Sequence, residues 1–151
     1  MQAALFTLTL VATVSAQNGA TALNIAPGGL ALKGYDPVAY FADSKAVHGT
    51  AEFTAVHDGA TYRFSSAAHR ATFLAQPGKY LPQYGGYCAM GVAVGKKLDA
   101  DPTLWRVVEG KLYLNVNKDA QGMWLKDPGK HIATAEEKWA KVSARNGFDT
   151  M

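Results

Sequence analysis

A single cysteine, Cys88, in 151 residues excludes an intrachain disulfide framework and any zinc site built from cysteines alone. Charge is also scarce. Charged residues make up 18% of the chain, the formal net charge is only +3, and no Lys/Arg cluster reaches the density that phosphate tracking needs, so nucleic acid is excluded as an expected partner. Residues 1–32 carry no charged side chain at all; Lys33 is the first. Beyond the N-terminus no apolar run approaches the ~20 residues of a membrane span. The sequence also lacks Gly-x-Ser-x-Gly, His-Glu-x-x-His, a phosphate loop and a dinucleotide fingerprint. Its carboxylates Asp36, Asp43, Glu52 and Asp58 stand beside turns, so no enzyme is expected. The chain reads without an internal repeat and without an interdomain linker.

What is present is a globular composition, 48% hydrophobic with 11% aromatic, enough for one sizeable core. Ala3–Ala16 is a continuous apolar and hydroxyl stretch ending in Val14-Ser15-Ala16. It reads as a secretory signal over residues 1–16, although Met1-Gln2 supplies no basic residue before it. Residues 17–31 then form a flexible leader, and residues 32–145 form the folded domain. The expected location is periplasmic or secreted, with no membrane contact after cleavage. An exported lone thiol has no internal disulfide partner, so it must be buried, metal-bound or reactive.

Local signals give an α+β domain of two β-hairpins with interleaved helices. Ala51–His57 and Ala60–Ser65 flank Asp58-Gly59, a type I′ turn pair, which places Phe53 opposite Phe64 and Ala55 opposite Tyr62. Ser65-Ser66 caps a helix over Ala67–Gln76, and Pro77-Gly78 stops it. Lys79–Gly86 is a Tyr/Gly/Pro-rich loop, and Tyr87–Gly95 a short helix. Trp105–Val108 and Leu112–Val116 flank Glu109-Gly110 as a second hairpin. Asn117–Lys126 forms a helix ended at Asp127-Pro128-Gly129, and His131–Arg145 a final amphipathic helix with Ile132, Ala135 and Trp139 on one stripe.

The stretch Tyr62-Arg63-Phe64-Ser65-Ser66, followed by Arg70, Phe73, Pro77, Lys79 and Tyr80, resembles the YHS domain. With Gly34-Tyr35-Asp36-Pro37-Val38-Ala39-Tyr40-Phe41, Tyr84-Gly85-Gly86-Tyr87-Cys88-Ala89 and Leu112-Tyr113-Leu114-Asn115, the chain is similar to the exported bacterial branch of YHS-domain proteins from roughly Leu32 to Trp139. That resemblance implies a treble-clef-like hairpin-and-helix core and an association with metal, chiefly copper. The cysteine-rich versions carry cysteines where this chain has Ala39, Ser65 and His69. Two thiolates are therefore gone and one is replaced by an imidazole.

Any metal site must then use Cys88. Cys88 and Met90 offer a thiolate and a thioether in Cys-x-Met spacing, a soft pair suited to Cu(I). His69 stands where the resemblance places a ligand. The expected metal ligands are Cys88, Met90 and His69, and the expected cofactor is a copper ion. His48 and His57 are expected to be exposed, and His131 opens the last helix. The seven tyrosines crowd the family motifs, either lining a pocket around Cys88 or packing at the core boundary. Three functions follow: exported copper handling or tolerance, with a metal-transfer partner or a homodimer; thiol redox or peroxide sensing through a low-pKa Cys88; and a structural or interaction module whose metal site has decayed, with Cys88 a small buried hydrophobe.

Overall fold

The structure, a computed structural model, describes residues 22–151. The expected signal over residues 1–16 lies outside the described residues. Part of the expected leader does not: the Asn24 N–H donates to the Gly85 carbonyl, Ile25 bridges Ala31, and Leu23 and Ile25 pack on the core. The chain from Ala22 to Leu30 is thus a strap laid across the fold.

The elements are α1 (Ala39–Ala42), β1 (Thr50–His57), β2 (Ala60–Phe64), α2 (Ala67–Ala75), α3 (Pro77–Tyr80), α4 (Ala89–Ala93), β3 (Asp101–Val108), β4 (Lys111–Asn115), α5 (Lys118–Lys126) and α6 (Pro128–Ser143). Two separate antiparallel two-stranded sheets and the helices between them make a small α+β domain, as the sequence patterns indicate. Among the described residues no helix is long and apolar enough to cross a membrane.

The fold is an internal duplication, which corrects the expectation of no repeat. Thr50 and Asp101 open the first strands, Ala60 and Lys111 the second, Ala67 and Lys118 the next helices, and Pro77 and Pro128 the helices after them; each pair is 51 residues apart. The irregularities repeat as well. Both hairpins turn through two residues of positive φ, Asp58-Gly59 and Glu109-Gly110, the geometry of a type I′ turn. Both first strands carry an irregularity at the same place, between Thr50 and Thr54 and between Asp101 and Trp105. The side chains of Ser66 and Asn117 accept the N–H groups of His69 and Ala120 as N-caps of α2 and α5.

Two local expectations change. Ala55 does pair with Tyr62, but the irregularity sets Thr50, not Phe53, opposite Phe64. The extra residues are accommodated as in a β-bulge, which bends the strand. Backbone crowding starts just before it: a Cβ on Gly49 would lie 2.3 Å from the Arg63 carbonyl carbon. Second, the two Pro-Gly pairs start helices as well as ending them. Gln76 and Asp127 break the chain at φ near −150°, and Pro77 and Pro128 then sit at the first helical turn, where a missing N–H costs nothing. The last helix therefore begins at Pro128, not at His131.

Strand β4 lies between two cores. Leu112 and Leu114 enter the first with Val38, Tyr40, Phe64 and Phe73; Tyr113 enters the second with Cys88, Met90, Val92 and Trp124. This explains why a strand with period-2 patterning is apolar on both faces. The Ile132, Ala135 and Trp139 stripe of α6 closes the second core, as its spacing indicates.

Candidate functional site

The first half builds its polar centre on Asp36, which is fully buried. Its Oδ1 accepts the N–H groups of Val38 (2.8 Å) and Ala39 (3.3 Å) at the start of α1. Its Oδ2 accepts the Ser65 N–H (2.9 Å), the Ser65 hydroxyl (2.7 Å) and the His69 Nδ1–H (2.6 Å). The sequence explains this convergence. Asp36 precedes Pro37 and a helical turn, Ser65 ends the hairpin, and the Ser66 cap starts α2 so that His69 looks back from its first turn. Burial alone would push the Asp36 carboxyl up, but the donors from Ser65, His69 and Val38 outweigh it and hold it below the ordinary carboxylate range. With Nδ1 committed, His69 directs Nε2 towards Asp43, whose Oδ2 lies 3.9 Å away; the two side chains are 18% and 44% exposed.

The second half repeats this centre with Cys88 in the place of Asp36. The Asp36 N–H donates to the Val47 carbonyl and the Cys88 N–H to the Leu98 carbonyl, 52 and 51 residues on, so the first half has one residue more between this centre and its hairpin. The Gly91 N–H donates to Cys88 Sγ (3.3 Å), as the Ala39 N–H does to Asp36. The Val116 N–H stands where the Ser65 N–H stands, and it too bonds the sulfur. The thiol donates to Asn115 Oδ1 at 3.6 Å, and Asn115 Oδ1 also accepts the Met90 N–H at 3.2 Å. Burial pushes the Cys88 thiol up, against the lowering donors Gly91, Val116 and Met90. Cys88 is fully buried and caps α4.

The predicted ligands fall into two groups. Cys88 and Met90 lie together in the second core. His69 belongs to the Asp36 centre of the first half, and neither its ring nitrogens nor the Cys88 sulfur bond each other. Among the described residues no group of three or more His, Cys, Asp and Glu is arranged to hold a metal ion. His48 is exposed and stacks on Tyr35 (centroids 4.0 Å apart), whereas His57 is half-buried, edge-on to Phe73 and 3.2 Å from Asp58.

The tyrosines divide in the same way. Tyr84, Tyr87 and Tyr113 share the second core with Cys88, while Tyr40, Tyr62 and Tyr80 belong to the first. Sequence reasoning missed Asp36 as a buried centre and set it down as a turn carboxylate. The signal available was the match of Gly34-Tyr35-Asp36 with Gly86-Tyr87-Cys88. It also missed Lys97, which is buried, donates to the carbonyls of Ser143 (3.2 Å) and Arg145 (2.7 Å), and lies over the Tyr87 ring. No protein-family model matches this chain, and neither a curated protein nor a solved structure matches it.

Proposed function

We propose that the chain is an exported single-domain interaction module, similar to the YHS domain, whose inherited metal position has become an internal hydrogen-bonded carboxylate. One observation carries this reading. Of the three positions that hold cysteines in the metal-binding versions, Ser65 and His69 donate to Asp36 through their side chains, and Ala39 adds only its backbone N–H. The electrostatics are inverted. A metal site surrounds a cation with electron-pair donors, whereas this site surrounds an anion with N–H and O–H groups. A cation placed there would face the hydrogens.

The Cys88 centre supports the same reading, because its sulfur fills the equivalent capping position in the second half. A buried thiol held in its protonated form is also a poor nucleophile, which counts against thiol redox sensing.

A second reading, copper handling, is favoured by the orientation of His69. An imidazole fixed through Nδ1 by a carboxylate, with Nε2 directed outward, is how metal-bound histidines are commonly held. Asp43 would be its partner. Copper titration against a chromogenic chelator, in both oxidation states, decides between the two. The module reading expects no stoichiometric uptake and no change on His69→Ala, Cys88→Ser or Met90→Leu. One equivalent bound and lost with His69→Ala establishes the second reading. Loss with Cys88→Ser or Met90→Leu instead restores the sulfur pair as the ligands.

A further inference from the structure

Where the two halves meet there is a cavity of about 250 Å³. Leu30 and Leu32 of the first half and Pro82, Gly86, Ala100 and Leu114 of the second form its walls, with the strap residues Leu23–Pro27 over it. We propose that this cavity is a binding site for a small, uncharged, mainly apolar molecule of one or two fused rings. The proposal goes beyond the interaction-module reading and does not rest on the Asp36 centre.

Size, place and charge support it. An apolar cavity of about 150 Å³ is enough to take up benzene, so this one accommodates a bicyclic ring. Ligand sites form preferentially where two units meet, and this cavity is walled by both halves of the duplication. Its charged side chains, Lys33 and Asp99, are half-exposed at its mouth and already paired, and the buried Tyr62 also lines it. Lys33 Nζ lies 2.9 Å from Asp99 Oδ2 and donates to the Ala100 carbonyl at 2.9 Å. The Asn24 amide donates to Asp99 Oδ1 (2.9 Å) and to the Gly86 carbonyl (3.1 Å). Lys33 and Asp99 neutralise each other, so an entering ion would lose its hydration without gaining an unmatched counter-charge. A neutral ring loses little and can place one hydrogen-bonding group at this mouth. Asn24 ties the strap to the second half, and the Thr61 N–H, which donates to the Gly29 carbonyl, ties it to the first, which makes the strap the part that must yield for entry.

The experiment is a titration of the full chain with 2-naphthol and with 2-naphthoate, followed by amide chemical shifts. The expected result is saturable shifts on Leu30, Leu32, Gly86, Ala100 and Leu114 with the naphthol, and binding of the naphthoate weaker by at least about tenfold. Leu30→Trp should plug the cavity and abolish the shifts while the spectrum stays folded. Ala26→Trp, from the exposed strap, supplies the same plug should the first variant unfold. Absence of saturable shifts with naphthol, equal binding of the anion, or undiminished binding in a folded plugged variant would overturn the proposal.

Discussion

Asp36→Ala should be the most damaging single substitution in the first half. It removes an acceptor of five hydrogen bonds and leaves the His69 and Ser65 donors facing a buried gap. Losing the acceptor at the start of α1 costs about 0.5–2 kcal/mol by comparison with helix caps. Each buried donor left unpaired costs about 1–3 kcal/mol. Such losses are not additive, and about 2–5 kcal/mol is expected in all. That is a large part of the ~5–15 kcal/mol that holds a domain together. Asp36→Asn keeps the shape and one acceptor oxygen but turns an NH₂ towards donors, so about 1–3 kcal/mol is expected.

The pH dependence separates charge from shape. The folded carboxyl is held below its ordinary value, so its stabilisation is complete above the unfolded pKa of about 3.9 and is lost as pH falls through the folded value. The stability gap between wild type and Asp36→Asn should therefore be constant near neutrality and narrow below about pH 4. Urea unfolding followed by fluorescence of Trp105, Trp124 and Trp139 measures both quantities. An Asp36→Ala cost below about 1 kcal/mol, or a gap that stays flat into acid, would refute the reasoning.

Three further outcomes are expected. Cys88 should react with a disulfide reagent only as fast as the native state opens, with labelling accelerating in urea in step with unfolding; rapid labelling of the folded protein would show an accessible thiolate. Gly49→Ala should cost more than the ~1 kcal/mol typical of point substitutions, since its Cβ would overlap the Arg63 backbone; a calorimetric melting temperature equal to wild type would contradict this. Gly59→Val, at φ +80° with nothing near its Cβ, should be destabilising by about 1–2 kcal/mol through backbone strain alone, and Gly59→Asn should recover much of that loss.

Turn chemistry made the elements legible. Asp58-Gly59, the Ser66 cap and the α6 stripe each act through neighbouring residues, so they can be read locally. The strand irregularities cannot be read this way, because they depend on how much chain lies opposite, and they moved Phe53 away from Phe64. The duplication is written in the sequence only in short segments. Phe73-Leu74-Ala75-Gln76-Pro77-Gly78-Lys79 and Trp124-Leu125-Lys126-Asp127-Pro128-Gly129-Lys130 lie 51 residues apart, but few identities survive outside such segments.

The candidate site was legible as residue types and not as groupings. His69 is expected from the sequence as a metal ligand, and its partner in the fold is a carboxylate 33 positions away. Cys88 and Met90 are near neighbours in sequence and still lie in a different core from His69's partners. Asp36 looked like a turn residue because its burial comes from Ser65 and His69 closing over it, which only the tertiary fold brings about.

The central claim is that positions 39, 65 and 69 serve an internal anion and not a metal. The most direct measurement is an NMR titration that observes the Asp36 carboxyl carbon and the His69 ring nitrogens, with and without one equivalent of Zn(II) or Ag(I). The account predicts a carboxyl that titrates below the ordinary range, a His69 Nδ1 that carries the proton, and spectra unchanged by either ion. A carboxyl titrating in the ordinary range, or ring nitrogens that shift stoichiometrically with added metal, would contradict it.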